Sequence, residues 1–148
     1  MKHDYRRVLE AADEPGCYEF PSKFDYDALE ARAKQIQTRV LQELREPTTF
    51  EGANFNQDAS FSIDIILTSH VVLKDKLRYQ PSIRFSNFGN LVTICWHDLM
   101  PHLLYQQIIK IVEDDGFHFI PEEELATPYD GVMTGKFPNW WGRYFDWI

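Results

Sequence analysis

An α+β fold is what this sequence predicts, and three observations predict it. Ser82 to Trp96, SIRFSNFGNLVTICW, reads as an antiparallel hairpin, because two apolar runs flank Asn87-Phe88-Gly89-Asn90. Gly and Asn tolerate positive φ, so the chain reverses near Gly89. Asp25 to Arg45 repeats apolar residues at helical spacing. The segments then follow one another as helix, strands, helix and aromatic tail, not as alternating strand–helix units. The expectation is an antiparallel sheet of three to five strands with the hairpin at its centre. Two main helices and an aromatic C-terminal segment pack it, all within one domain spanning residues 1–148.

Taken in order, Arg6 to Leu9 opens a short helix that stops before Pro15-Gly16. In the long helix Leu29, Ala33, Ile36, Val40 and Leu44 form one apolar stripe. Ser22 or Asp25 caps its start, Pro47 lies past its end, and Glu30 with Lys34 is a favourable i, i+4 pair. Pro47 to Asp58 is a loop by composition, with Phe50 and Phe55 tucked back onto the core. Ala59 to Leu67 alternates as a strand with a more polar second face, on which Asp64 faces water, pairs with an Arg or Lys of a neighbouring strand such as Arg84, or serves as a tuned carboxylate. Val71 to Leu73 favours strand and Lys74-Asp75-Lys76 a turn.

After the hairpin, Pro101 to Asp114 is the second main helix, with Leu104, Ile108, Ile111 and Val112 as its buried stripe. Asp98 is its expected cap, and Asp115-Gly116 its stop. Phe117 to Ile120 reads as a short strand and Pro121 to Leu125 as a helix start with acids at its positive end. Thr127 to Phe137 is a loop. The tail from Trp140 to Ile148 pairs Trp140 with Tyr144 and Trp141 with Phe145 at helical spacing, and so aromatic a segment is expected to dock on the body.

Composition narrows the function classes. The net charge is −8, from 23 acidic and 15 basic side chains, and Lys and Arg are not clustered. Phosphate binding needs such clusters, so no nucleic-acid partner is expected. No apolar run is long enough to span a membrane, and Met1 to Glu10 lacks the apolar core of a signal peptide. With only Cys17 and Cys95, a reducing cytoplasm is the expected location.

No phosphate loop, CxxC, HExxH or GxSxG is present. Cys95, His97, Asp98 and His102 are close in sequence and include a thiol–imidazole pair two residues apart. An apolar setting for Cys95 and an i, i+5 spacing of the histidines argue against a nucleophile or a metal there. Neither a cofactor nor a metal is expected, and an enzyme is the less favoured class. The negative charge is placed instead. Residues 97–148 hold nine acids against three bases, −6 of the total −8.

Glu113, Asp114, Asp115, Glu122, Glu123, Glu124 and Asp130, with Trp140, Trp141 and Tyr144 beside them, are therefore the expected partner-binding residues. The reading is a non-enzymatic, acidic protein-binding module for a basic protein. Its concrete form is a bacterial antidote or immunity protein that neutralises a basic toxin. The alternative is a small enzyme or ligand-binding domain with an aromatic-lined pocket using Cys95, His97, Asp98 or Asp64.

Overall fold

The computed structural model describes residues 4–52 and 63–145. Helix α1 (Tyr5–Ala11) starts at Asp4, whose side chain accepts the Arg7 N–H, and it buries Leu9. Helix α2 (Tyr26–Leu44) is capped by Asp25, which accepts the Ala28 N–H at 3.1 Å. Its apolar stripe delivers Leu29, Ala33, Ile36 and Val40 to the core, and Arg45 ends it in a left-handed conformation. The expected Glu30–Lys34 pair forms at 3.4 Å.

The next stretch departs from expectation. Thr48–Glu51 is a strand, β1, and not loop. It is too short to show alternation, and what makes it a strand is antiparallel pairing with β2 (Ile63–Leu67), remote in sequence. Phe50 does pack against the core. Residues 53–62, including Phe55 and the first half of the expected strand from Ala59, lie outside the described residues. Val72–Lys74 (β3) and Leu77–Tyr79 (β4) form a small separate hairpin, turning through Asp75 and Lys76 at φ 53 and 65°.

The central hairpin is β5 (Ser82–Phe85) and β6 (Leu91–Cys95), antiparallel, with the reversal at Gly89 and Asn90, both at φ 57°. Gly89 is required twice over: its φ is positive, and a Cβ there would sit 2.5 Å from the Ala12 Cβ. Past β6 the chain makes a 3₁₀ turn over His97–Leu99, then helix α3 (His102–Asp114), whose buried stripe is the expected Leu104, Ile108, Ile111 and Val112. Asp98 does not cap α3. Trp96 turns left-handed and puts Asp98 inside the 3₁₀ turn, so Pro101 occupies the cap position without a side-chain bond.

Helix α3 carries the chain back along the sheet, and β7 (His118–Phe119) therefore runs parallel to β6. The sheet is mixed, in the order β1-β2-β5-β6-β7. Helix α4 (Glu122–Leu125) and helix α5 (Trp140–Tyr144) follow, the latter capped by Asn139, which accepts the Gly142 N–H at 2.8 Å. Among the described residues no helix is long and apolar enough to cross a membrane.

The two sheet faces are treated differently. Ile63, Ile65, Leu67, Ile83, Phe85, Val92 and Ile94 face α2 and α3 and form the main core. On the opposite face, among the described residues, the C-terminal segment and α1 pack around Phe88 and Leu91 of the central hairpin. There Leu9, Phe88, Leu91, Leu125, Tyr129, Trp140, Tyr144 and Phe145 build a second apolar cluster. The aromatic tail thus docks as expected, through Trp140 and Tyr144.

An ion pair ties this second cluster together. Asp13 Oδ1 accepts from Arg143 Nε at 2.8 Å, and Asp13 Oδ2 from the Tyr129 hydroxyl at 2.7 Å and the Val132 N–H at 2.9 Å. Arg143 also donates to the Glu14 and Tyr18 carbonyls and lies 4.4 Å from the Phe88 ring centroid. Thr93, fully buried and in register with Arg84, leaves its hydroxyl without a hydrogen-bond partner among the described residues. An unsatisfied buried hydroxyl costs about 1–3 kcal/mol, so Thr93→Val is expected to raise stability by about 1 kcal/mol, read as a higher melting temperature.

Candidate functional site

Side chains alternate across a strand, so the second face of β1, β2, β5 and β6 displays two cross-strand rows. Register places Glu51, Asp64, Arg84 and Thr93 in one row, and Thr49, Ile66, Ser82 and Cys95 in the next. Among the described residues, this face holds a cleft of about 370 Å³ lined by Glu51, Asp64, Arg84, Cys95, Trp96 and Trp141, together with Arg78, Gln80 and Glu122.

Asp64 sits where the alternation placed it, and Arg84 Nε donates to its Oδ1 at 2.9 Å. The pairing makes a mid-strand acid tolerable. The Arg84 guanidinium also lies over the Trp141 ring, 5.5 Å from its centroid, and donates to the Phe145 carbonyl. Trp96 forms another wall. Its backbone N–H donates to Glu122 Oε1 at 3.2 Å, and its ring meets Tyr79 edge-on at 5.0 Å. Burial raises the Glu122 carboxyl above its ordinary value, offset in part by that bond.

The sequence-predicted chemistry comes apart in three dimensions. Cys95 faces the cleft, while His97 stacks on Tyr105 at 4.7 Å and His102 packs against the same ring. Asp98 is exposed in its turn. Among the described residues no three His, Cys, Asp or Glu side chains gather into a metal-holding group. Desolvation pushes the Cys95 thiol up to about 12. At neutral pH Cys95 is expected to resist alkylation by iodoacetamide until the protein is unfolded, which mass spectrometry of the labelled peptides reads directly.

The acidic run is likewise divided. Asp114 pairs with Lys110 at 2.9 Å, Asp115 with Arg39 at 3.1 Å, and Asp130 with Arg6. Glu113 is exposed at the end of α3, and Glu122 turns toward the cleft. Glu123 reaches His97 at 4.0 Å and remains largely exposed, and Glu124 lies beside it on α4. Trp140 is 0% and Tyr144 1% exposed, so neither offers a surface to a partner. That corrects their assignment as contact residues: they fill the second apolar cluster. Trp141 alone of the three reaches the cleft.

Sequence reasoning missed Glu51, Arg78 and Trp96 as site residues. Glu51 was not legible, because Thr48–Glu51 becomes a strand only through its pairing with β2. Nothing local marks Trp96, because its exposure depends on where the chain turns after β6. No known protein family, curated protein or solved structure matches this chain, so its function rests on its own geometry.

Proposed function

We propose that this chain is a non-enzymatic binding protein that docks a basic protein partner at the cleft on the second face of its sheet. The observation that carries this reading is the cleft and its rim. Glu51, Glu122 and Glu123 supply negative charge around two tryptophans, while Asp64 is paired with Arg84. The adjoining hairpin, whose Arg78 lines the cleft, leaves Leu73 76% and Leu77 57% exposed. Exposed apolar groups ringed by charge mark interaction surfaces, with aromatics as anchors and carboxylates for steering. The overall charge of −8 favours the same class of partner.

The concrete form we favour is a bacterial antidote or immunity protein that caps a basic toxin in the cytoplasm. The two unpaired cysteines suit a reducing compartment. A second reading has one specific observation behind it: the cleft's volume, its two indoles and the Asp64 and Cys95 side chains also suit a small ligand.

The test begins with isolation of the partner at low salt. Association is then expected to slow as salt rises, because steering between exposed charges is screened beyond ~8–10 Å at physiological ionic strength. Glu51→Lys with Glu123→Lys is expected to lower the on-rate roughly tenfold with the fold unchanged. Glu122 is better left in place, since its carboxylate holds Trp96. An on-rate indifferent to both salt and the double reversal would sink the charge-steered reading and favour the small-ligand pocket.

A further inference from the structure

We infer that the cleft contains a subsite for the guanidinium of an arginine side chain on the partner, with Trp96 as its stacking face and Glu122 as its acceptor. This deepens, and rests on, the reading that the partner is basic and docks here.

Trp96 is the side chain most at odds with its surroundings. It stands at φ 56°, ψ 40°, a left-handed conformation that a bulky L-residue rarely adopts. Its indole is nevertheless 47% exposed, so burial does not account for the pose. The surroundings hold it there from several sides. Glu122 Oε1 accepts its backbone N–H at 3.2 Å, its carbonyl accepts the Leu99 N–H at 3.0 Å, and the Tyr79 ring packs against the indole. Backbone strain maintained this way around an exposed aromatic points to use of that aromatic.

The chemistry of the occupant follows from what this protein does with rings and carboxylates elsewhere. Arg143 lies over Phe88 while pairing with Asp13 at 2.8 Å. Arg84 lies over Trp141 while pairing with Asp64 at 2.9 Å, inside this same cleft. A ring face beside a carboxylate is, in both places, filled by a guanidinium. Trp96 and Glu122 line the same cleft, with the Glu122 carboxylate held at the Trp96 backbone N–H, and so bring an indole and a carboxylate together once more. Among the described residues, however, no Lys or Arg stacks on Trp96 or forms an ion pair with Glu122. An arginine from the partner completes it. Arginine fits better than lysine, because its planar cation stacks on an indole while its fork of N–H groups reaches a carboxylate at the edge.

The test uses three short, flexible peptides that differ only in carrying arginine, lysine or the neutral isostere citrulline, titrated at low salt. Amide and indole chemical shifts and Kd are read together. The arginine peptide is expected to move the Trp96 and Glu122 signals and to bind several-fold tighter than the lysine peptide, with citrulline inert. Trp96→Ala and Glu122→Gln are each expected to weaken the arginine peptide about tenfold. Trp96→Phe, which keeps a ring on the same backbone, should retain most of the affinity. Unchanged shifts elsewhere in the spectrum check the fold of each variant. Equal binding of arginine and lysine peptides, untouched by Trp96→Ala, overturns the guanidinium subsite and leaves the basic-partner reading standing. Failure of both charged peptides to bind overturns the two together.

Discussion

Asp13→Ala is expected to cost about 3–5 kcal/mol of folding stability, read as a lower urea midpoint with an unchanged slope. The substitution removes one carboxylate and strands three donors. Arg143, with a fully buried side chain, loses its counter-charge, and the Tyr129 hydroxyl and Val132 N–H lose their acceptor. Leaving a buried guanidinium unpaired is the dominant penalty, because its hydration is not restored in the folded state. Against a typical domain stability of ~5–15 kcal/mol, such a loss leaves a substantial unfolded fraction.

Arg143→Ala is expected to be comparably damaging, since it strands Asp13 and abandons the Glu14 and Tyr18 carbonyls. Because the two residues act on one interaction, the double variant should cost far less than the sum of the singles. Additive costs would show that the pair contributes only as two separate packing units. Gly131→Ala probes the same spot by sterics, since a Cβ there would come within 1.9 Å of Asp13 Oδ2 and within 2.6 Å of the Tyr129 ring.

Trp140→Ala is expected to cost about 3–5 kcal/mol, the range for truncating a large buried aromatic and leaving its cavity. Trp140 packs edge-on against Tyr129 at 4.7 Å and stacks on Tyr144 at 5.8 Å. Tyr144 in turn donates to the Leu9 carbonyl at 2.6 Å, and its own carbonyl accepts from the Ser86 hydroxyl at 2.9 Å. The C-terminal segment is therefore bonded to α1 and to the central hairpin. Truncation of the chain before Trp140 removes Trp140, Arg143, Tyr144 and Phe145 at once, all buried. It is expected to abolish a cooperative melting transition. A truncated protein that melts like the full chain would mean that the second cluster is dispensable.

These two results bear on function through one distinction. An aromatic tail near acids reads equally well as a docking surface or as a core, because composition carries no information on which side of a ring meets water. The second cluster decides it for Trp140 and Tyr144, which are spent on holding the fold. Among the described residues, the indoles that line the cleft are those of Trp96 and Trp141.

What the sequence determined by itself is local and periodic. The apolar stripes of α2 and α3, the Asp25 cap, the reversal at Gly89 and the Asp64–Arg84 pair were all legible in it. Each depends on spacing within one element, on a local turn, or on side-chain alternation in two strands that pair. The tertiary structure alone decided the rest. Parallel pairing of β7 follows from the path of α3, and the strand character of Thr48–Glu51 follows from a partner strand beyond a long connection. The Asp13–Arg143 pair joins residues 130 positions apart. The cleft is assembled from β1, β2, β5, β6, the β4 edge, α4 and α5, so no single window of sequence contains it. Burial is a property of what packs on top of a residue, and that is why Trp140 and Tyr144 are buried while Glu113 and Glu123, close to them in sequence, are exposed.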